Sequence, residues 1–286
     1  MLEMTFQMIV GVVLLAFFCE YMDATLGMGY GTTMTPALLL LGFSPMQIVP
    51  CILLSELVTG ILGGVFHHKE GNVNFHFKFL NFQRIKQSVM IPGVTDNEHH
   101  TYAIQISQHA KVVVLLLSAT LLGATSSVLT AKILPKQWTS LYISVMVIAM
   151  GVLILIFFNK KLKYAWQKIV GLGFLASFNK GLTGGGYGPL VVSGQVLSGI
   201  EGKNAIGITS LAEGLTCALG VICYITIAKG LIDWRLAPFI IGGAICSVPL
   251  SAKSVKFIPP KILKVIIAVL TITLGILTLV KTLKSF

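Results

Sequence analysis

Four carboxylic acids, Glu20, Asp23, Glu56 and Glu213, fall inside long apolar stretches of a 286-residue chain that has ten acidic residues in all. An ionised acid at the centre of a membrane helix costs about 3 kcal/mol on insertion scales. Four unpaired charges together would cost roughly 10 kcal/mol, as much as the net stability of a whole domain. Such acids must be paired, protonated, hydrated or hydrogen-bonded, and an intramembrane acid is by default a functional residue. Glu56 and Glu213 lie near the middle of their segments. One reading gives them, with Asp23, a part in carrying protons. The other makes them structural carboxyls bonded to neighbouring helices through Ser55, Thr59 or Thr216.

The one basic residue deep in an apolar segment is Lys180. It cannot snorkel easily from there, so it either forms an ion pair or attracts a small anion. Its position is tied to Asp23 by an internal duplication. Gly27-Met28-Gly29-Tyr30-Gly31 returns as Gly184-Gly185-Gly186-Tyr187-Gly188, an offset of 157 residues that also carries Gly42 onto Gly199, Glu56 onto Glu213 and Asp23 onto Lys180. Over Gly27 to Phe66, 11 of 40 positions are identical to their counterparts, too many for composition alone. Opposite charges at corresponding places suggest an Asp23–Lys180 pair holding two halves together, or a Lys180 that receives an anion while Asp23 tunes it.

The glycine motifs admit three readings. Glycines that begin a helix expose backbone N–H groups at the positive end of its dipole, which suits a small anion. Gly29, Tyr30, Gly31 and Thr32 in the first motif and Gly186, Tyr187 and Gly188 in the second are then substrate-binding candidates with Lys180. The second reading is close helix packing through small residues. The third, similarity to the channel-filter sequence TVGYG, is weak: a glycine replaces the threonine and the motif occurs twice.

The elements that must position these groups are membrane helices. Apolar residues make up 55% of the chain and charged residues 11%. Ten apolar segments can be drawn, at 5–26, 30–42, 47–66, 111–131, 138–158, 168–183, 188–198, 204–227, 235–252 and 262–280. The second and seventh are short and begin at the glycine motifs, as helices broken within the bilayer do. The predicted fold is an all-α polytopic membrane protein with two homologous halves, 1–158 and 159–286, of about five helices each. If the short segments cross, the halves are inverted, which we favour; if they are re-entrant, eight spans remain and the halves are parallel.

The net charge of +11 sits between apolar segments, as in loops beside anionic lipid, and needs no nucleic acid. The loop 67–110 and the turn Lys160-Lys161-Leu162-Lys163 are assigned to the cytoplasmic side. That loop holds all six histidines. A solvated connection is the plain reading, a metal-sensing or regulatory role the sharper one. Cys19, Cys51, Cys217, Cys223 and Cys246 lack ligand spacing and read as small buried hydrophobes. Glu3 and the full-length first segment argue against a cleaved signal.

The glycine break followed by Leu41-Gly42, then Gly71-Asn72-Val73-Asn74, resembles the TauE/SafE sulfite exporter family. So do Lys180-Gly181-Leu182-Thr183-Gly184-Gly185-Gly186-Tyr187-Gly188-Pro189 and Lys229-Gly230-Leu231-Ile232-Asp233-Trp234. The resemblance covers nearly the whole chain apart from the histidine-bearing loop. It implies a multi-pass carrier of the cell membrane that exports sulfite or an organosulfonate without ATP or cofactor. A channel, or a transporter of another small anion or organic acid, is the alternative. No HExxH, GxSxG or GxxxxGK[ST] is present, so a membrane hydrolase or direct ATP use is not expected. Monomer and homodimer both remain open.

Overall fold

The computed structural model describes residues 5–75, 77–81, 102–156, 166–197, 200–228, 232–255, 257 and 260–285. Ten helices make up its membrane body: α1 (Phe6–Leu26), α2 (Tyr30–Leu40), α3 (Pro45–Lys69), α4 (Gln108–Ile133), α5 (Lys136–Ile156), α6 (Trp166–Thr183), α7 (Tyr187–Leu197), α8 (Gly202–Thr226), α9 (Ala237–Ser254) and α10 (Pro260–Leu283). Seven are long and apolar enough to cross a bilayer. Large side chains such as Phe6, Leu122 and Ile133 point outward, as lipid solvent permits. This is a polytopic membrane protein.

The breaks fall where the glycines stand. Gly27 (φ 69°) and Gly29 (φ 133°) separate α1 from α2, and Gly184 (φ 76°) and Gly186 (φ 83°) separate α6 from α7, all in backbone regions that favour glycine. The last turns close alike, Gly27 N–H bonding Asp23 O at 2.5 Å and Gly184 N–H bonding Lys180 O at 2.8 Å. Shifted by 157 residues, the bounds of α2 and α3 fall on those of α7 and α8.

Hydrogen bonds and close contacts give the helix directions. The Tyr30 hydroxyl meets Ser55 at 2.9 Å, so α2 runs back along α3. His67 reaches Ala24, while Glu20 and Asp23 share a cavity with Glu56, so α1 and α3 run the same way. Leu53 lies beside Gly220, and Gly64 beside Leu211, which makes α3 and α8 antiparallel. Ile148 meets Gly275, and Gly151 meets Ile272, so α5 and α10 are antiparallel too. The first five helices and the last five therefore thread the body in opposite senses. Their packing is reciprocal: α4 lies on α6 as α1 lies on α9, and α3 on α9 as α8 on α4.

The long connection after α3 carries more structure than the solvated loop expected of it. Phe77–Asn81 (β1) pairs antiparallel with Tyr102–Ile106 (β2), Phe79 opposite Ile104. Both runs are rich in aromatic and apolar residues that favour strands. His76, His99 and His100, like the basic turn 160–163, lie outside the described residues. Among the described residues no group of His, Cys, Asp and Glu is placed to hold a metal ion.

His67 belongs to α3, which outruns its apolar segment by three residues. Its side chain is buried, with Nε2–H donating to Ala24 O at 2.9 Å and Nδ1 accepting from Asn72 Nδ2 at 3.0 Å. Asn72 Nδ2 also donates to Ala252 O at 3.2 Å. The pair ties α1, α3 and α9 together on the face that bears the hairpin. On the opposite face Lys281 Nζ donates to Leu39 O and Leu40 O at 2.9 and 3.0 Å, adding a cation to the carbonyl end of α2.

The glycine motifs pack backbone against backbone. A Cβ at Gly31 would collide with the Gly184 carbonyl, and one at Gly188 with the Gly27 carbonyl. Gly31→Ala and Gly188→Ala should each lose about 1–3 kcal/mol of stability or fail to fold, measured by thermal unfolding in detergent. Gly242→Ala, where a Cβ meets nothing within 4 Å, should stay close to wild type. In the same assay His67→Ala should cost about 1–3 kcal/mol, because it strands the buried Ala24 carbonyl and the Asn72 amide.

Candidate functional site

Helices α3 and α8 cross where two glycines face each other. A Cβ at Gly60 would sit 2.6 Å from Gly214 Cα, and one at Gly214 would sit 2.9 Å from Gly60 C. Backbones can approach this closely only where side chains are missing. Glu56, one turn before Gly60, and Glu213, beside Gly214, are thereby brought to the same depth. Between them comes the ammonium of Lys180 from the end of α6. Its Nζ donates to Glu213 Oε1 at 2.7 Å and is paired with Glu56 Oε2. All three residues are buried, Lys180 to within 1%. Cys217, one turn after Glu213, places its Sγ 3.8 Å from Glu56 Oε2.

Several side chains named from sequence thus meet, with different partners than expected. Lys180 pairs with Glu56 and Glu213; Asp23, its counterpart under the offset, makes no ion pair with it. Asp23 Oδ1 accepts the Tyr30 N–H at 3.1 Å, so its carboxylate sits on the positive end of α2. One of the two helix starts proposed to receive an anion is filled by the chain's own acid. Ser55 and Thr216 do not hold the glutamates either: Ser55 pairs with Tyr30, and Thr216 bonds Thr120 Oγ1 at 3.0 Å and Ala212 O at 2.8 Å. Thr32 is turned onto Gly29 O at 3.2 Å. Gly31 and Gly188 form the contact between the two breaks, against Gly184 and Gly27, beside the fully buried Tyr30 and Tyr187, whereas Gly29 faces Ile267 and Gly186 faces Met146 and Asn179.

Next to the Lys180 ion pairs lies a cavity of about 10 Å³, close to the room one water needs, lined by Glu20, Asp23, Glu56, Thr59, Ser210 and Glu213. Four carboxyl groups therefore surround one small space, with one ammonium beside it. Glu20 is one of the four intramembrane acids, and hydropathy alone gives it no site role. Its spacing of three residues from Asp23, which puts both on one face of α1, was the available signal. Among the described residues, Glu20 Oε2, Glu56 Oε1 and the Thr59 hydroxyl are buried without a hydrogen-bond partner.

The face opposite the hairpin holds a larger cavity of about 400 Å³ at the end of α2, with Lys136, Lys281, Ser140, Thr278 and Thr282 in its wall. The two lysines in its wall put positive charge on this face.

Known proteins bear on this arrangement. The sequence pattern of the family described as Sulfite exporter TauE/SafE matches residues 12–80 and 100–278. The chain is 25% identical over 274 residues to the probable membrane transporter protein YtnM of Bacillus subtilis (strain 168), covering 91% of this chain and 79% of that one. No solved structure matches. With a match spanning both glycine breaks, both midmembrane glutamates and Lys180, the chain belongs to the Sulfite exporter TauE/SafE family of membrane transporters.

Proposed function

We propose that this protein is a secondary transporter, in the export direction, of a small sulfur-containing oxyanion such as sulfite or an organosulfonate, coupled to protons. The observation that carries the reading is Lys180, a buried cation held by Glu56 and Glu213 where the two broken helices meet. We take the halves 1–158 and 159–286 as inverted repeats, the build that lets two bundles rock about a fixed central site. The opposed threading of the two groups of helices supports this.

The ion pairs set the mechanism. With both carboxylates ionised, Lys180 has no attraction to spare, and an incoming anion meets negative charge. An oxyanion can bond Nζ only where a glutamate lets go, and a glutamate lets go at low cost only by taking a proton. Anion and proton therefore enter together, the anion oxygen replacing a carboxylate oxygen as acceptor of the Nζ–H. The central charge stays nearly constant, which matters where an unbalanced charge is costly. Movement follows the summed gradients, so a high internal anion concentration drives export. The start of α7 at Tyr187 is the second helix dipole that an anion could use; in this conformation Met146 and Asn179 pack against Gly186, and Gly27 against Gly188, so an anion reaches it only once these contacts part.

Sulfite-loaded proteoliposomes test this directly. Wild type should release sulfite faster when protons are available on the loaded side, and Glu56→Gln and Glu213→Gln should abolish that pH dependence. Pairs of variants that keep the wild-type pH profile would remove both glutamates from coupling. Lys180→Gln should cut flux about tenfold or more, because a hydrogen bond to a charged partner is worth about 1.5–3 kcal/mol. A Lys180→Gln protein that folds and transports at the wild-type rate would refute the anion site. Sulfate, thiosulfate and taurine in the same assay identify the substrate within the oxyanion class.

A further inference from the structure

We infer that Glu20 is the proton reservoir of the central site: a protonated carboxyl that exchanges its proton with the Glu56–Lys180–Glu213 triad across the shared cavity. The inference rests on the proton-coupled reading and adds to it the residue that holds the proton when the triad does not.

The four acids around the cavity differ in what satisfies them. Glu56 and Glu213 have Lys180. Asp23 has the Tyr30 N–H and the end of the α2 dipole. Glu20 has neither a cation nor a backbone donor: it is 3% exposed, and its Oε2 is without a hydrogen-bond partner among the described residues. An ionised carboxylate so placed, beside three other acids, would be the costliest charge in the body. A neutral COOH removes that charge.

The surroundings are consistent from every side. On α1 itself the titratable neighbours are Asp23 and the thiol of Cys19; α2 brings Tyr30, α3 brings Glu56, α8 brings Glu213, and Lys180 reaches in from α6. Helices α9 and α10 meet the α1 region through small and apolar residues, Gly243 against Val13 and Ala16, and Ile267 in one cluster with Leu26. The one cation in reach is already shared by two carboxylates. The Thr59 hydroxyl, 1% exposed, lines the same cavity beside Glu20; it is a neutral hydrogen-bonding group next to that carboxyl and can relay a proton there.

The step is a single proton transfer. The O–H bond of Glu20 breaks, an O–H bond forms on the carboxylate of Glu56 or Glu213, and Glu20 is left ionised; the total charge around the cavity does not change. The neutralised glutamate releases Lys180 Nζ for the anion. Glu20 is then re-protonated from the side that delivers the anion, so one proton still enters with each anion. Loss of the triad's proton on the far side restores the ion pair and expels the anion, so proton position and anion binding are linked within one site.

Infrared difference spectroscopy on the purified full-length protein decides the assignment independently of transport. Wild type should show a protonated-carboxyl C=O band at neutral pH that is absent from Glu20→Gln, while Glu56→Gln and Glu213→Gln keep it. In proteoliposomes Glu20→Gln should lose the pH dependence of sulfite flux, and Glu20→Asp should recover part of it. Persistence of the band in Glu20→Gln overturns the inference, as does an unchanged pH profile. If Glu20→Gln does not fold, Glu20→Asp carries the test: its band must shift in frequency, and an unshifted band is fatal. Wild-type protein that moves no anion would defeat the transport reading, yet the spectrum would still locate the proton.

Discussion

One ammonium group organises the centre of this protein. Lys180 Nζ reaches from the end of α6 to carboxylates on α3 and α8, adding an ionic tie to three helices that also share a cluster of Leu53, Leu182 and Tyr224 and the Tyr224–Gly181 hydrogen bond. Each of the three charges is costly alone in a membrane interior, and the pairing offsets the cost only when all three are in place. Removal of any one leaves the others to find a proton or a counter-ion. That requirement is why the helices carrying the three charges approach so closely.

Glycine supplies the approach. Gly60 against Gly214 lets α3 and α8 meet backbone to backbone, and the Gly31–Gly184 and Gly188–Gly27 contacts do the same for the two breaks. These contacts are reciprocal: what one break does to the other is returned. The symmetry fails at the residue four positions before each break, where Asp23 and Lys180 stand. Asp23 turns onto the start of its own following helix, and Lys180 turns away from its helix to the glutamates. A lysine at the first place would repel the helix N-terminus it faces; an acid at the second would leave three carboxylates and no cation. The difference between Asp23 and Lys180 is what supplies the charged centre with its cation.

Much of this was legible in the sequence, and what was not has physical reasons. Helix number, the two breaks and the depth of Glu56 and Glu213 follow from hydropathy and glycine spacing, because lipid leaves the backbone few options. The partner of Lys180 does not follow. Residues equivalent under an internal offset touch only if they lie near the axis relating the halves. Glu56 and Glu213 sit on α3 and α8, which pack on each other; Asp23 and Lys180 sit on α1 and α6, which pack on α9 and α4 instead. His67 escaped for another reason. A helix ends where its hydrogen bonds end, so α3 runs on to Lys69 past the last apolar residue and carries a histidine into a buried bond. The hairpin strands lie in a loop whose composition looked polar as a whole, and their aromatic alternation shows only over five residues at a time.

The two faces of the body place this centre in a transport cycle. Toward the hairpin, the His67–Asn72 bonds join α1, α3 and α9 above the carboxylates, and Val73 packs against Gly207 at the start of α8. Toward the other face lies the lysine-walled cavity between α2, α5 and α10. A carrier must expose its site to one side at a time, and the polar bonds on the hairpin face link the helices that would have to part there. Separating them strands a carbonyl on α1, a carbonyl on α9 and an imidazole, a penalty of buried polar groups that holds the face shut until binding energy at the centre compensates. Because α1 carries both Ala24, which receives the His67 bond, and Glu20 and Asp23 within the preceding turn, a change of charge at the cavity acts on the helix that the lock grips. The cavity and the hairpin-face bonds are thus linked through about one turn of α1, with no long relay between them.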